Sequence, residues 1–266
     1  MAQLAVPALI TAATLLMRAA RWTAATDLLR AATADDPADR RALALALAEV
    51  AVDQDFAQQT DQAGPELTAA AEALENLPDA TSSWDLAMLH LRKDYSKALF
   101  RPDTTASGAE ARDQTKAVAL TGRALHLRDE APDDARRGLA SFYAGVIADN
   151  LAADQTAAFT HFTTALELGE RSGDDLLASL ALRHLGDHAH TEGDLELARE
   201  QWERSTELRQ KVGHLLGALA QQALLAVLLR DEGNTAGARA LATEVHRWSH
   251  QVGLEFITKQ TAELMR

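Results

Sequence analysis

Residues 180–212 read LALRHLGDHAHTEGDLELAREQWERSTELRQKV, and the fold turns on how this stretch is parsed. It reads as a helix, a tight Gly193-Asp194 turn and a second helix folded back on the first. A glycine accepts the left-handed backbone that ends one helix, and an aspartate side chain caps the next. Forty residues away on either side the punctuation returns: Asp154, Asp194 and Asn234 are spaced by 40, all preferred N-cap types. Gly193 and Gly233 precede two of these caps, and Ala158, Ala198 and Ala238 each follow their cap by four residues. Small residues there let antiparallel helices cross closely. Gly173, Gly213 and Gly253 form a further set of period 40, each where a second helix should stop. Self-similarity at this period signals an array of helical repeats.

On these residues the chain resembles the tetratricopeptide repeat (TPR) family. The match lies in Leu182, Leu185 and Gly186 on the first helix, Ala198 and Trp202 on the second, and the turn between them. A second match is Leu9, Ala13 and Leu16, then Ala25, Leu29, Ala32 and a closing Pro37. The repeat departs from the family in length, since 40 residues exceed the usual value of about 34, so each helix should be longer by about a turn. The aromatic usual on the first helix one turn past its small residue is Ala189 here. The resemblance implies an all-α fold, a right-handed α-α superhelix (a TPR-like solenoid) of about six helical hairpins plus a C-terminal capping helix. It implies one repeat domain over 1–266, clearest in 134–173, 174–213 and 214–253, with the cap at 254–265.

Composition agrees and removes some functions. The chain is 47% hydrophobic but only 5% aromatic, rich in Ala and Leu, and no run alternates as a strand would. There is no cysteine, which removes disulfides and thiolate metal sites and fits a reducing, cytoplasmic setting. A net charge of −13 argues against nucleic acid and anionic membranes as partners. Only five of the 26 basic residues are Lys, which looks like bacterial codon composition rather than a binding signature. The apolar run 4–17 lacks a basic segment ahead of it and is shorter than the roughly 20 residues that span a bilayer. It reads as the first helix of the first repeat.

Along the chain, the expected hairpins are 4–19 with 21–33, 38–52 with 66–77, and 83–100 with 109–127. Then follow 135–151 with 155–171, 174–192 with 195–212, and 214–232 with 235–252. The helix over 38–52 is apolar on most faces and should be buried between neighbours. The loop 101–108, RPDTTASG, is where an insertion in the repeat would sit. Lys259, Gln260 and Glu263 would give the capping helix its polar outer side.

Three groups of residues invite a chemical reading. Five of the nine histidines, His161, His184, His188, His190 and His214, are gathered between residues 161 and 214, and His184 and His188 have the i, i+4 spacing of a metal pair. Leu185 stands where a zinc protease would carry Glu, so packed, hydrogen-bonded imidazoles are the plainer reading and no metal or other cofactor is expected. Asp35-Asp36-Pro37-Ala38-Asp39 matches the D-D-x-x-D of terpene synthases, but Pro37 belongs to a helix's first turn, so a repeat boundary fits better. No nucleotide loop or nucleophile elbow occurs.

The third group is the groove that the resemblance implies. Leu182, Leu185, Gly186 and Ala189 should pack inward, leaving Leu180, Arg183, Asp187 and His190 on the groove stripe. The equivalent stripes are Ala140, Tyr143, Ile147 and Asn150 before it, and Ala223, Val227 and Arg230 after it. Tyr143, Asn150, Arg183, Asp187, His190 and Arg230 are therefore the candidate partner-binding residues, for a protein or peptide segment. Family members that bind acidic chaperone tails carry Lys and Asn one turn apart. Here Arg183 and Asp187 take that spacing, and the Asp would repel a carboxylate. A different reading places a small-molecule or enzymatic pocket at Tyr143, His161, His184 and His188. A third makes Trp248, Leu254, Phe256 and Ile257 an end-to-end contact between copies of the chain in a homo-oligomer.

Overall fold

The computed structural model describes residues 5–100 and 109–266. The loop expected at 101–108 lies outside the described residues. Among the described residues there are thirteen α-helices and no strand. In order they are α1 (Val6–Arg18), α2 (Trp22–Arg30), α3 (Pro37–Gln58), α4 (Gly64–Asn76), α5 (Ala80–Phe100), α6 (Ala109–Asp129) and α7 (Asp134–Asn150). Then come α8 (Gln155–Ser172), α9 (Asp175–Glu192), α10 (Leu195–Lys211), α11 (Leu215–Asp231), α12 (Thr235–Gln251) and α13 (Glu255–Leu264). The chain divides into two compact units, Met1–Ala158 and Phe159–Arg266, with the division inside α8.

Each unit is an all-α, TPR-like file of hairpins. In the first, every helix from α1 to α6 packs on its successor, and α1, α3, α5 and α7 also pack side by side. In the second, α9 to α13 pack in order, and α11 also meets α13. The odd-numbered helices thus form one layer of each unit, and the even-numbered helices lie behind it.

One turn design recurs every 20 residues in the later repeats. Gly173, Gly193, Gly213, Gly233 and Gly253 all have φ between +71° and +86°, the left-handed region that glycine enters without steric cost. At the same register Ala153 is forced to φ 53°. The next residue is the N-cap. Asp154, Asp174, Asp194 and Asn234 accept from the backbone N–H groups of Ala157, Leu177, Leu197 and Gly237 at 3.0–3.1 Å. His214 and Leu254, in the same place, make no side-chain cap bond. Between turns the helices cross closely, as expected. A Cβ on Gly186 would stand 2.4 Å from the Trp202 ring, and Ala158, Ala198 and Ala238 are buried. Trp202 Nε1 donates to the Arg183 carbonyl at 2.9 Å, and Ser205 Oγ to that of Ser179 at 2.6 Å.

The earlier helices are less uniform, from 9 residues in α2 to 22 in α3. Asp36 caps α3 through Ala38 N at 2.9 Å with Pro37 in its first turn, so the D-D-x-x-D match straddles a helix start. The expected end of α3 at residue 52 is too early, and the helix runs on to Gln58. Beyond it the buried Asp55 carboxylate accepts from Gln62 N, Ala63 N and Thr60 Oγ1 at 2.5–2.9 Å and ties down the loop into α4. Likewise α5 starts three residues before 83, because Asp79 accepts from Ser82 N and Oγ at 2.8 and 2.6 Å.

At the far end α13 carries exposed Lys259 and Glu263 on its outer side. The proposed end-to-end patch is smaller than expected: Leu254 and Ile257 are buried in the packing of α12 and α13, and only Trp248 and Phe256 of the four are exposed. Among the described residues no helix is long and apolar enough to cross a membrane.

Candidate functional site

In each unit the candidate partner-binding side chains sit on the odd-numbered helices. In the first unit their centre is Arg92 on α5, whose side chain is 17% exposed. Glu49 and Asp53 on α3 approach it at 3.8 and 3.9 Å, ion-pair distances rather than hydrogen bonds. Tyr143 on α7 brings its hydroxyl to the same guanidinium, and Arg18 on α1 acts on both carboxylates. Asp53 also accepts from Trp22 Nε1 at 2.7 Å. Desolvation is the largest influence on Glu49, Asp53 and Tyr143 and raises all three above their ordinary pKa values, although Arg92 pulls the other way.

The candidates of this unit lie in that cluster or beside it. The Tyr143 ring meets Tyr95 edge-on at 5.9 Å, and Asn150 Nδ2 donates to Tyr95 Oη at 2.8 Å. Tyr143 is half-buried and Asn150 exposed. Two other members of the expected groove stripe are misplaced: Ala140 and Ile147 are fully buried between helices. Sequence reading also missed Arg18, Glu49, Asp53 and Arg92. A signal was present in Glu49 and Asp53, two carboxylates one turn apart that flank the apolar residues 50–52 of α3 and repel unless a cation faces them.

In the second unit the candidates are paired among themselves. Arg183 Nη1 donates to Asp187 Oδ2 at 2.6 Å, each side chain about 30% exposed. His190 Nε2 lies 2.9 Å from Asp231 Oδ2, joining α9 to α11, and Arg230 Nε donates to Asp231 Oδ1 at 2.9 Å. Burial works against charge on Asp231, but the hydrogen bonds from Arg230 and His190 prevail and hold its carboxyl below the usual range. Leu180 and Val227 are half-buried, whereas Ala223 is fully buried and belongs to the core rather than the stripe.

The histidines behave as packed aromatics. His184 stacks on Phe162 at 4.6 Å and 15°, and His188 meets Phe162 edge-on at 5.9 Å and Phe159 at 6.0 Å. Desolvation, then the charges of Arg183 and Arg209, hold His184 well below the ordinary histidine pKa, so it is neutral at pH 7. Among the described residues no three His, Asp or Glu side chains gather as a metal-binding set. Tyr143 keeps the company of Arg92, Tyr95 and Phe142, while His184 and His188 keep that of Phe162 and Phe159.

No family model matches the chain, and no curated protein does. Among solved structures it is similar to a signal transduction ATPase with numerous domains, a STAND protein with a tetratricopeptide repeat sensor, from Pyrococcus horikoshii. That likeness has 16% identity and a TM-score of 0.48 over 91% of this chain. The chain spans 35% of the length of that protein.

Proposed function

We propose that the protein is a scaffold that binds a segment of another protein along its odd-numbered helices and acts by recognition rather than catalysis. The observation behind this reading is the Arg92 cluster. Four helices converge on it, and its two carboxylates sit 3.8–3.9 Å from the arginine, beyond hydrogen-bonding distance. A fully satisfied polar network would serve stability alone. This one includes partly exposed carboxylates, Glu49 at 47% and Asp53 at 25%, beside two tyrosines and the exposed Asn150, a surface that suits an extended or helical segment with a basic side chain. Tyr143, Asn150, Arg183, Asp187, His190 and Arg230 are the residues we assign to contact, the first two in one unit and the other four in the second. The work would be done in the cytoplasm.

The test is retention of partner by variants of the full chain. Asn150→Arg and Arg230→Glu alter exposed positions on this layer, and Arg204→Glu alters an exposed position on the even-numbered α10. The first two should weaken binding of a partner recovered with the parent protein by about tenfold each, about 1.4 kcal/mol, with unchanged helical circular dichroism. Arg204→Glu should bind like the parent. Equal binding by all three variants would remove the assignment.

A further inference from the structure

The second unit buries an arginine that its own acceptors do not satisfy. Arg209, near the end of α10, is 3% exposed, and no acceptor among the described residues reaches its Nε or Nη2. These two nitrogens form the side of a guanidinium that grips a carboxylate with two parallel bonds. The first unit shows that grip occupied: Arg136 gives Nε to Asp85 Oδ1 at 2.6 Å and Nη2 to Asp85 Oδ2 at 2.9 Å.

The surroundings of Arg209 suit an anion. Its guanidinium fits because α11 has no side chain at Gly217, where a Cβ would stand 2.0 Å from Nη1 and 2.3 Å from His214 Nδ1. Gly217 lies in the first turn of α11, the positive end of the helix, which His214 does not cap with its side chain. One turn further on the same face is Gln221, fully buried, whose amide oxygen and nitrogen also lack partners. The charges acting on Arg209 are Arg183 and Asp187, which are already bonded to each other. His184 is close enough to feel Arg209 and stays neutral. Desolvation first, and Arg183 second, push the Arg209 pKa down to about 9. A buried guanidinium with two unmade bonds is destabilising, and a bound anion would offset that cost.

We propose that Arg209 is the base of a carboxylate-binding site among α9, α10 and α11, gripping one carboxylate through Nε and Nη2 with the Gln221 amide as a third donor. The site rests on the second unit alone and stands whether or not a protein segment lies along the odd-numbered helices. It is distinct from the Arg183–Asp187 stripe, whose charges cancel. The carboxylate belongs either to a free small acid or to a Glu or Asp side chain of a bound segment.

The experiment is titration of the full chain with sodium acetate, and separately with acetyl-Ala-Glu-Ala-amide against its Gln counterpart, with sodium chloride at equal ionic strength as control. Two readouts are followed: the thermal unfolding midpoint, and the Arg209 Nε–H resonance in arginine-labelled protein, assigned by its loss in Arg209→Lys. The expected result is a saturable rise of a few degrees and a shifted Nε–H signal with at least one carboxylate, neither seen with chloride nor in Arg209→Met. Response to acetate alone assigns a small acid, and response to the Glu peptide but not the Gln peptide assigns a side chain. An unmoved Nε–H signal with both carboxylates overturns the proposal, as does an equal midpoint rise in Arg209→Met. If Arg209→Met does not fold, Gly217→Ala, which displaces the guanidinium, takes its place. Loss of partner binding in the preceding test leaves this outcome unaffected, so the two proposals fail separately.

Discussion

The loops of the first unit and the turns of the second solve the same problem by different means. From Gly173 to Gly253 every reversal uses a glycine at positive φ, and most follow it with a capping Asp or Asn. Both steps are local, so one short motif repeated at fixed spacing sets helix length and register together. In the first unit the α3–α4 loop depends instead on Asp55, buried and bonded to three residues five to eight positions away. The α4–α5 junction depends on Asp79. A repeated turn leaves side chains free to vary, whereas a loop held by one carboxylate concentrates the dependence on that residue.

This contrast can be broken most forcefully at Asp55. Asp55→Ala strands two backbone N–H groups and a hydroxyl, and should cost about 3 kcal/mol, read as a lower urea midpoint with an unchanged slope. In the second unit the sensitive point is the helix crossing rather than the turn. Gly186→Ala places a methyl 2.4 Å from the Trp202 ring and should cost about 2 kcal/mol by the same measurement. The smallest effect sharpens the turn argument and has the opposite sign. Ala153 occupies the glycine register at φ 53°, so Ala153→Gly should stabilise the chain by up to about 1 kcal/mol, by relieving left-handed strain in excess of the added chain entropy. A destabilised Ala153→Gly would mean that this turn is not strained as its counterparts imply.

How much could be read in advance follows from the range of the interactions. The caps at Asp154, Asp194 and Asn234, the burial of Ala158, Ala198 and Ala238 and the helix start at Pro37 were all legible, because each is decided by residues within a hairpin. The end of α3 was not, since Asp55 acts through a loop whose sequence carries no repeat signature. The expected groove stripe was legible only in part. Helical spacing put Ala140, Ile147 and Ala223 on it, but helices packed alongside bury them completely. The same neighbours cover Leu254 and Ile257. Arg92 and Arg209 look like ordinary surface cations in the sequence, and nothing within a turn of either marks it for burial.

By itself the sequence determined the class of fold, the places where the chain reverses and the unit that repeats, because backbone geometry at a glycine and a capping side chain depends on a few adjacent residues. Only the tertiary structure decided which charges lie beneath the surface and which partners they have. Those depend on helices brought together from distant parts of the chain, whose packing sets both the water around a charge and the groups within its reach.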